Sequence, residues 1–263
     1  MLGEFLRQAR SVKEAESRAG MQFDVRKRQL TFDPSIGEDK ANMSAANALL
    51  QDQIRSILGS RCEAAFLLEK RPANETLPSP VSEIPRGALT EIAGPVSSGR
   101  TSLLYSLLAA ASSGQEFCAL LDTENSFDPE SAQLSGVRLA QVLWVRCCGN
   151  AEHALKSADM LAQAGGFGLV AVDLGDIPEK VMHRIPLAAW FRLRHAVENT
   201  RTALVVVARQ IHARSCSALK IDLRRKRALW KGQFPGRLLD GIDAVAECTR
   251  NHHTHQQPLT IRR

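Results

Sequence analysis

Residues 94–102 read G-P-V-S-S-G-R-T-S, two glycines followed by a cation and a hydroxyl at a spacing that suits phosphate. Gly94 and Gly99 allow backbone N–H groups to converge on phosphate oxygens. Pro95, Ser97 and Ser98 shape the loop between them, and a helix N-terminus directly after it adds its dipole. Thr101, with Ser102 beside it, offers a hydroxyl to Mg2+. Arg100 stands where the pattern G-x-x-x-x-G-K-[ST] has lysine. It keeps the positive charge, but its planar fork does not copy a compact ammonium. Nucleotide binding is therefore expected to be more robust than hydrolysis. The alternative is a plain Gly/Ser turn between a strand and a helix.

Three more polar residues follow apolar runs in a way that suits the same chemistry. Glu124 in "LLDTENSFDP" is suited to orienting or deprotonating a water. Asp173, after four apolar residues in "LVAVD", is suited to supporting Mg2+. Gln210 in "VVVARQI" can hydrogen-bond a terminal phosphate. A polar residue at the end of one strand is a weak signal. Four such positions in order, including the loop, are a specific one.

The elements that must position them are legible. "ALTEIAG", "EFCALLD", "QVLWVR", "FGLVAVD" and "TALVVVA" read as short apolar strands. "TSLLYSLLAAASS", "DPESAQLSG", "AEHALKSADMLAQAGG" and "LAAWFRLRHAVEN" read as the helices between them. This alternation predicts an α/β fold with a mostly parallel twisted sheet and helices on both faces. Ligands of such sheets collect at the carboxyl ends of the strands. Beyond Gln210, "CSALKIDLRRKRAL", "GIDAVAECTR" and "PLTIRR" alternate as an antiparallel extension.

Upstream, residues 1–42 are polar and without sustained periodicity, and they read as a disordered or loosely helical extension. Met43, an alternative start, opens a cleaner segment in which Ala46, Leu49, Leu50, Ile54, Ile57 and Leu58 follow helical spacing. The proline-rich stretch after it reads as a linker, giving a helix and linker over 43–85 and a nucleotide-binding core over 86–263.

Among the 263 residues no apolar run approaches the roughly 20 needed to span a membrane. The N-terminus lacks a secretory core, so the cytoplasm is the expected compartment. The six cysteines contain no C-x-x-C pair. Cys147-Cys148 reads either as a redox or metal element or as a strand end entering a loop. His252, His253 and His255 read either as metal ligands or as part of a polar hairpin. The net charge is +6, yet from residue 201 onward 13 Lys and Arg face four acids. This basic third suits nucleic acid, an acidic partner, or simply a solvated strand face. Trp230, beside Arg227 and Lys231, is the tryptophan best suited to a contact there, whereas Trp144 and Trp190 read as core.

The order "IPRGALTEIAGPVSSGRTS", "CALLDTENSFDP", "LVAVD", "VVVARQI", "SALKIDLRR" resembles the RecA recombinase family over roughly residues 45–263. The resemblance implies a RecA-like P-loop core that binds ATP and Mg2+, with Glu124 as catalytic glutamate and Asp173 at the Mg2+ site. It implies that Gln210 signals nucleotide state to a DNA-binding loop and that Asp128 lies beside adenine. It also implies single-stranded DNA as a partner, through the basic third, and self-association. The departures are Arg100 for lysine, Ser131 for an adenine-stacking tyrosine, and Arg250-Asn251-His252 for a subunit-bridging Lys-Asn-Lys. Only "IHARSCS" separates Gln210 from Ala218, where the family has a long glycine-rich DNA loop. With "GGFGLVAVDL" and "WFRLRHAVENTRTAL", the chain is similar to the shortened ImuA branch, RecA-related accessories to damage-inducible translesion DNA synthesis. Partners are then DNA-repair proteins, either translesion polymerase components or RecA. Two functions follow: an accessory factor with weak or absent ATP hydrolysis, or a DNA-dependent ATPase with minimal loops.

Overall fold

The computed structural model describes residues 76–262 except 234 and 252, and the backbone of two strands further upstream. Those two are β1 (Met21–Asp24) and β2 (Gln29–Phe32). A hairpin follows, β3 (Thr76–Leu77) and β4 (Ile84–Pro85). The central strands are β5 (Ala88–Ala93), β6 (Phe117–Asp122), β7 (Val142–Arg146), β8 (Phe167–Asp173) and β9 (Ala203–Ala208). Between them run α1 (Arg100–Ser113), α2 (Pro129–Leu134), α3 (Ala151–Ala164), α4 (Glu179–Met182) and α5 (Leu187–Val197). Three long strands close the chain: β10 (Ser217–Lys231), β11 (Leu238–Arg250) and β12 (His253–Arg262).

One sheet joins most of these in the order β1-β2-β7-β6-β8-β9-β5-β10-β11-β12. In that order the neighbours from β2 to β10 pair in parallel, and the β1–β2, β10–β11 and β11–β12 pairings are antiparallel. The expected α/β architecture with an antiparallel C-terminal extension is therefore the one found.

Strand residues alternate between two cores, because successive side chains point to opposite faces. In β8, Val170 and Val172 pack with α3 and α5, against residues such as Leu155, Leu161, Trp190 and Leu193. Leu169 and Ala171 face the other way, towards Leu103, Leu104, Leu107 and Leu108 of α1. Burial on both faces explains why the central strands read as near-continuous apolar runs. Helix ends follow local chemistry. Asn150 caps α3 by accepting the His153 N–H at 3.1 Å. Gly165, at φ 73°, ends it in a conformation that a side chain would strain.

Two expectations about the upstream region need correction. The stretch read as a linker up to residue 85 contributes to the core, since Leu77, Val81 and Ile84 are buried against α1 and the closing strands. Prolines and turn residues there shape a tight hairpin, and the three apolar residues spaced among them supply its anchor. Within residues 1–42, β1 and β2 are strands rather than irregular chain, because β2 pairs with the otherwise open edge of β7. Backbone pairing to an open edge needs no hydrophobic periodicity. The helix expected from Met43 lies outside the described residues. No described helix is long and apolar enough to cross a membrane.

If the hairpin is core, truncating it must cost as much as truncating any core position. Ile84→Ala and Leu77→Ala are each expected to destabilise the protein by about 2–5 kcal/mol in urea unfolding, where a linker residue would change it by less than about 0.5 kcal/mol.

Candidate functional site

Strands β6, β8, β9 and β5 lie side by side in the sheet. Their carboxyl ends therefore bring Glu124, Asp173, Gln210 and the glycine loop to one edge, as the sequence order requires. Behind the loop, Gly94 donates its N–H to the carbonyl of Arg209 at 3.2 Å. A Cβ on Gly94 would lie 2.5 Å from the Leu223 carbonyl oxygen, so the loop leaves β5 pressed against β10. Gly99 has φ 101° and caps α1. A Cβ there would lie 2.4 Å from Cδ1 of Ile261, so the last strand of the extension seats against the loop as well.

The loop has the properties of an anion site. No side chain caps α1, and its first turn holds no acid, which leaves the N–H groups and dipole at that end without a negative partner from the turn itself. Ser98 is buried, and its hydroxyl has no hydrogen-bond partner among the described residues. Pro95, Val96, Ser97, Thr101 and Ser102 are exposed around it.

Arg100 does not extend along the loop. Its guanidinium reaches the segment after β8, donating to the Gly175 carbonyl at 3.1 Å and to Asp176 Oδ1 at 2.9 Å. Its side chain is 11% exposed and that of Asp176 is 38% exposed. The same segment is held from two other directions. Glu124 Oε2 accepts the Asp176 N–H at 2.9 Å, and Asp173 Oδ1 accepts the Gly175 N–H at 2.9 Å. Gly175 has φ 56°, and a Cβ there would lie 2.1 Å from Glu124 Oε2. Only glycine lets the glutamate lie across the turn.

Asp173 sits among carboxylates. Burial pushes its carboxyl up to about 6, Asp122 and Glu124 push in the same direction, and the Gly175 N–H and Arg100 partly offset them. A native-state value above that of the unfolded chain means that the fold favours the neutral acid. This contribution is complete below about pH 4 and is lost as pH rises through about 6. A bound divalent cation would reverse the preference, which is the electrostatic reason these donors suit one.

Asp122 and Thr123 build the platform for this edge. Asp122 is 1% exposed and accepts the N–H groups of Ser126 (3.0 Å) and Phe127 (2.9 Å) and the indole N–H of Trp144 (3.2 Å). Thr123 donates its N–H and its hydroxyl to the Asp173 carbonyl, at 3.0 and 2.7 Å. Phe127 stacks edge-on with Tyr105 and with Trp144, and the Arg146 guanidinium lies over the Trp144 ring. Trp144 is thus half-buried in a polar-edged cluster, while Trp190 is core.

Asp128 and Gln210 are engaged elsewhere. Asp128 caps α2, accepting the N–H groups of Glu130 and Ser131 and the Ser131 hydroxyl. These bonds, the Ser131 hydroxyl first, hold its carboxyl below the usual range. Gln210 donates to Glu179 Oε2 at 3.3 Å. The short loop after it is fixed by Glu91, a buried carboxylate that accepts the N–H groups of His212 (2.7 Å) and Ala213 (2.8 Å) and the Ser217 hydroxyl.

Asp122, Glu91, Gly175, Asp176 and Glu179 were not singled out from the sequence. Asp176 carried a signal, because an arginine in place of the loop lysine calls for a counter-anion and "VDLGD" supplies one three residues after Asp173. Glu91, inside an apolar strand, carried another. The structure bears on the cysteine and histidine alternatives in part, His252 lying outside the described residues. Burial pushes the Cys147 thiol up to about 12, so it is an unreactive buried thiol, and Cys148 is an exposed loop residue. His253 and His255 are exposed on β12, and no group of three metal-ligating side chains occurs among the described residues.

Replacing the buried charge tests the electrostatic account. Asp173→Asn is expected to raise stability at pH 7.5 without divalent cations by about 2–3 kcal/mol and to flatten its pH dependence between about pH 4 and 6, as read by urea unfolding.

Residues 77–178 match the family model of the RecA N-terminal domain. The matched span opens on the β3–β4 hairpin and includes the glycine loop, Glu124, Asp173 and the segment that binds Arg100. The match covers less than half of the chain, and the mostly parallel sheet with its antiparallel closing strands is consistent with a RecA-like core.

Proposed function

We propose that this protein is a RecA-like accessory or regulatory factor of the DNA-damage response, of the ImuA-like kind that serves translesion synthesis. In this reading it binds ATP and Mg2+ with weak or absent hydrolysis. The observation that carries it is the engagement of Arg100 with Gly175 and Asp176. The residue that should neutralise phosphate charge is already neutralised by the protein. Two further interactions work in the same direction: Ser131 ties Asp128 to a helix cap, and Glu179 holds Gln210.

The phosphates would lie over the N–H groups from Gly94 to Ser102, with Ser97, Ser98 and Arg100 around them. Thr101 and Asp173 would hold Mg2+, and Asp128 would lie on the base side. Bound Mg-ATP supplies a polarised terminal phosphate open to attack by water. Glu124 is the group that would orient that water or take its proton, and Gln210 would contact the terminal phosphate. Glu124 instead spends an oxygen on the Asp176 N–H, which lowers its availability as a base. The adjacency of Glu124 and Asp173 at one sheet edge favours the second reading, a DNA-dependent ATPase with minimal loops.

The nucleic-acid partner would be single-stranded DNA, taken up by the ribbon of β10 and β11. Arg224, Arg225, Lys226 and Arg227 are exposed along β10. Arg224 pairs with Asp222 and Arg227 with Asp243, while Arg225 and Lys226 make no ion pair among the described residues. Trp230, 52% exposed, stands near the tip, opposite Leu239. An aromatic face beside exposed cations suits a sequence-tolerant single strand.

ATP turnover measured with and without single-stranded DNA tests the reading. Turnover is expected to stay at the level of Glu124→Gln in both conditions, and DNA-stimulated hydrolysis that the substitution abolishes would overturn the accessory role. For DNA, Arg225→Glu with Lys226→Glu is expected to weaken binding evenly across sequences. The slope of log K against log salt should fall by about 0.7 for each phosphate that the protein no longer neutralises, in fluorescence anisotropy titrations.

A further inference from the structure

The geometry points to Asp176 as an internal competitor for phosphate: its carboxylate holds the Arg100 guanidinium against the segment between β8 and α4, and a nucleotide enters the loop by displacing it. This inference rests on the reading that the glycine loop takes a nucleotide, and it adds how that binding is restrained. Arg100 is the first residue of α1, so its backbone belongs to the anion-binding turn while its side chain is drawn towards Gly175 and Asp176. The two partners differ in how readily they return to water. The guanidinium is nearly buried and cannot be left unpaired without a large cost. The Asp176 carboxylate is over a third exposed, so water can receive it. A phosphate is the kind of ligand that completes the exchange, because it can accept both guanidinium N–H groups now divided between the Gly175 carbonyl and Asp176 Oδ1, and carries more charge.

The exchange also has a defined path. Once Asp176 releases Arg100, its segment is still tethered by Glu124 at the Asp176 N–H and by Asp173 at the Gly175 N–H. The freed part leads within three residues to Glu179, the partner of Gln210. Opening the pair thus loosens the segment that holds the residue at the end of β9. Arginine at this position is not a lysine with altered reach. It is one half of a pair whose other half is Asp176, and occupancy of the loop is set by the fraction of molecules in which the pair is open.

The test uses the full chain and a fluorescent ATP analogue. If about one molecule in ten is open at rest, Asp176→Asn tightens nucleotide binding about tenfold. The same substitution lowers the melting temperature of the nucleotide-free protein, because it removes a native ion pair. A merely structural pair would weaken both properties together. Asp176→Glu is expected to restore the weaker binding, and Asp176→Asn is expected to give a smaller gain in an Arg100→Lys background. Unchanged or weaker binding by Asp176→Asn would overturn the competition while leaving nucleotide binding itself standing. Absence of binding in both wild type and variant would overturn the two together. Hydrogen exchange on the wild-type protein gives a reading that needs no variant to fold. The amides of Ile177 and Glu179 are expected to exchange faster when the analogue is bound, and unchanged or slower exchange would count against the displacement of Asp176.

Discussion

The junction between β6 and β8 is the constraint on which the functional edge depends. Thr123 is bonded to the Asp173 carbonyl through both its N–H and its hydroxyl, and Asp122 gathers two loop amides and an indole. These bonds are buried, where an unmade partner is expensive. They turn the chain sharply after β6, so that Glu124 is thrown across Gly175 rather than continuing the strand. Once Glu124 lies there, the position of Asp176 follows, and with it the place where Arg100 finds an anion.

Carboxylates outnumber cations at this edge, so the single arginine there is drawn to the protein's own acids. Asp122 and Glu124 act on Asp173, and Arg100 is the cation that offsets them in part. A site poised for catalysis leaves its cation and its base free for the reacting groups. Here Arg100 is bonded to the protein and Glu124 accepts a backbone N–H. The aspartate expected beside the nucleotide base is likewise satisfied as a helix cap.

The closing strands are part of the same arrangement and not an appendage. Asp243 accepts bonds from Arg227 on β10 and from Thr260 on β12, tying three strands together. Ile261 then rests against Gly99 of the glycine loop. The basic ribbon and the glycine loop are therefore mechanically adjacent, although more than a hundred residues separate them in the chain.

Much of this is legible in the chain alone. Apolar runs of strand length, helical spacing between them and glycine stops give the architecture, because periodicity and caps are local properties. The loop pattern and the acids after β6 and β8 mark the edge, since strand ends in a parallel sheet share one side. Local reading fails where pairing is non-local. It takes the hairpin at 76–85 for a linker because three anchoring residues among prolines have no period, and it misses β1 and β2 because an open edge recruits strands through the backbone. The sequence by itself determined that the glycine loop, Glu124, Asp173 and Gln210 share one edge of the sheet and that an arginine stands where the loop pattern has lysine. Only the tertiary structure decided where that arginine points, because hydrogen-bond partners 75 and 76 residues away are chosen by the packing of β6 against β8 and not by neighbours in the chain.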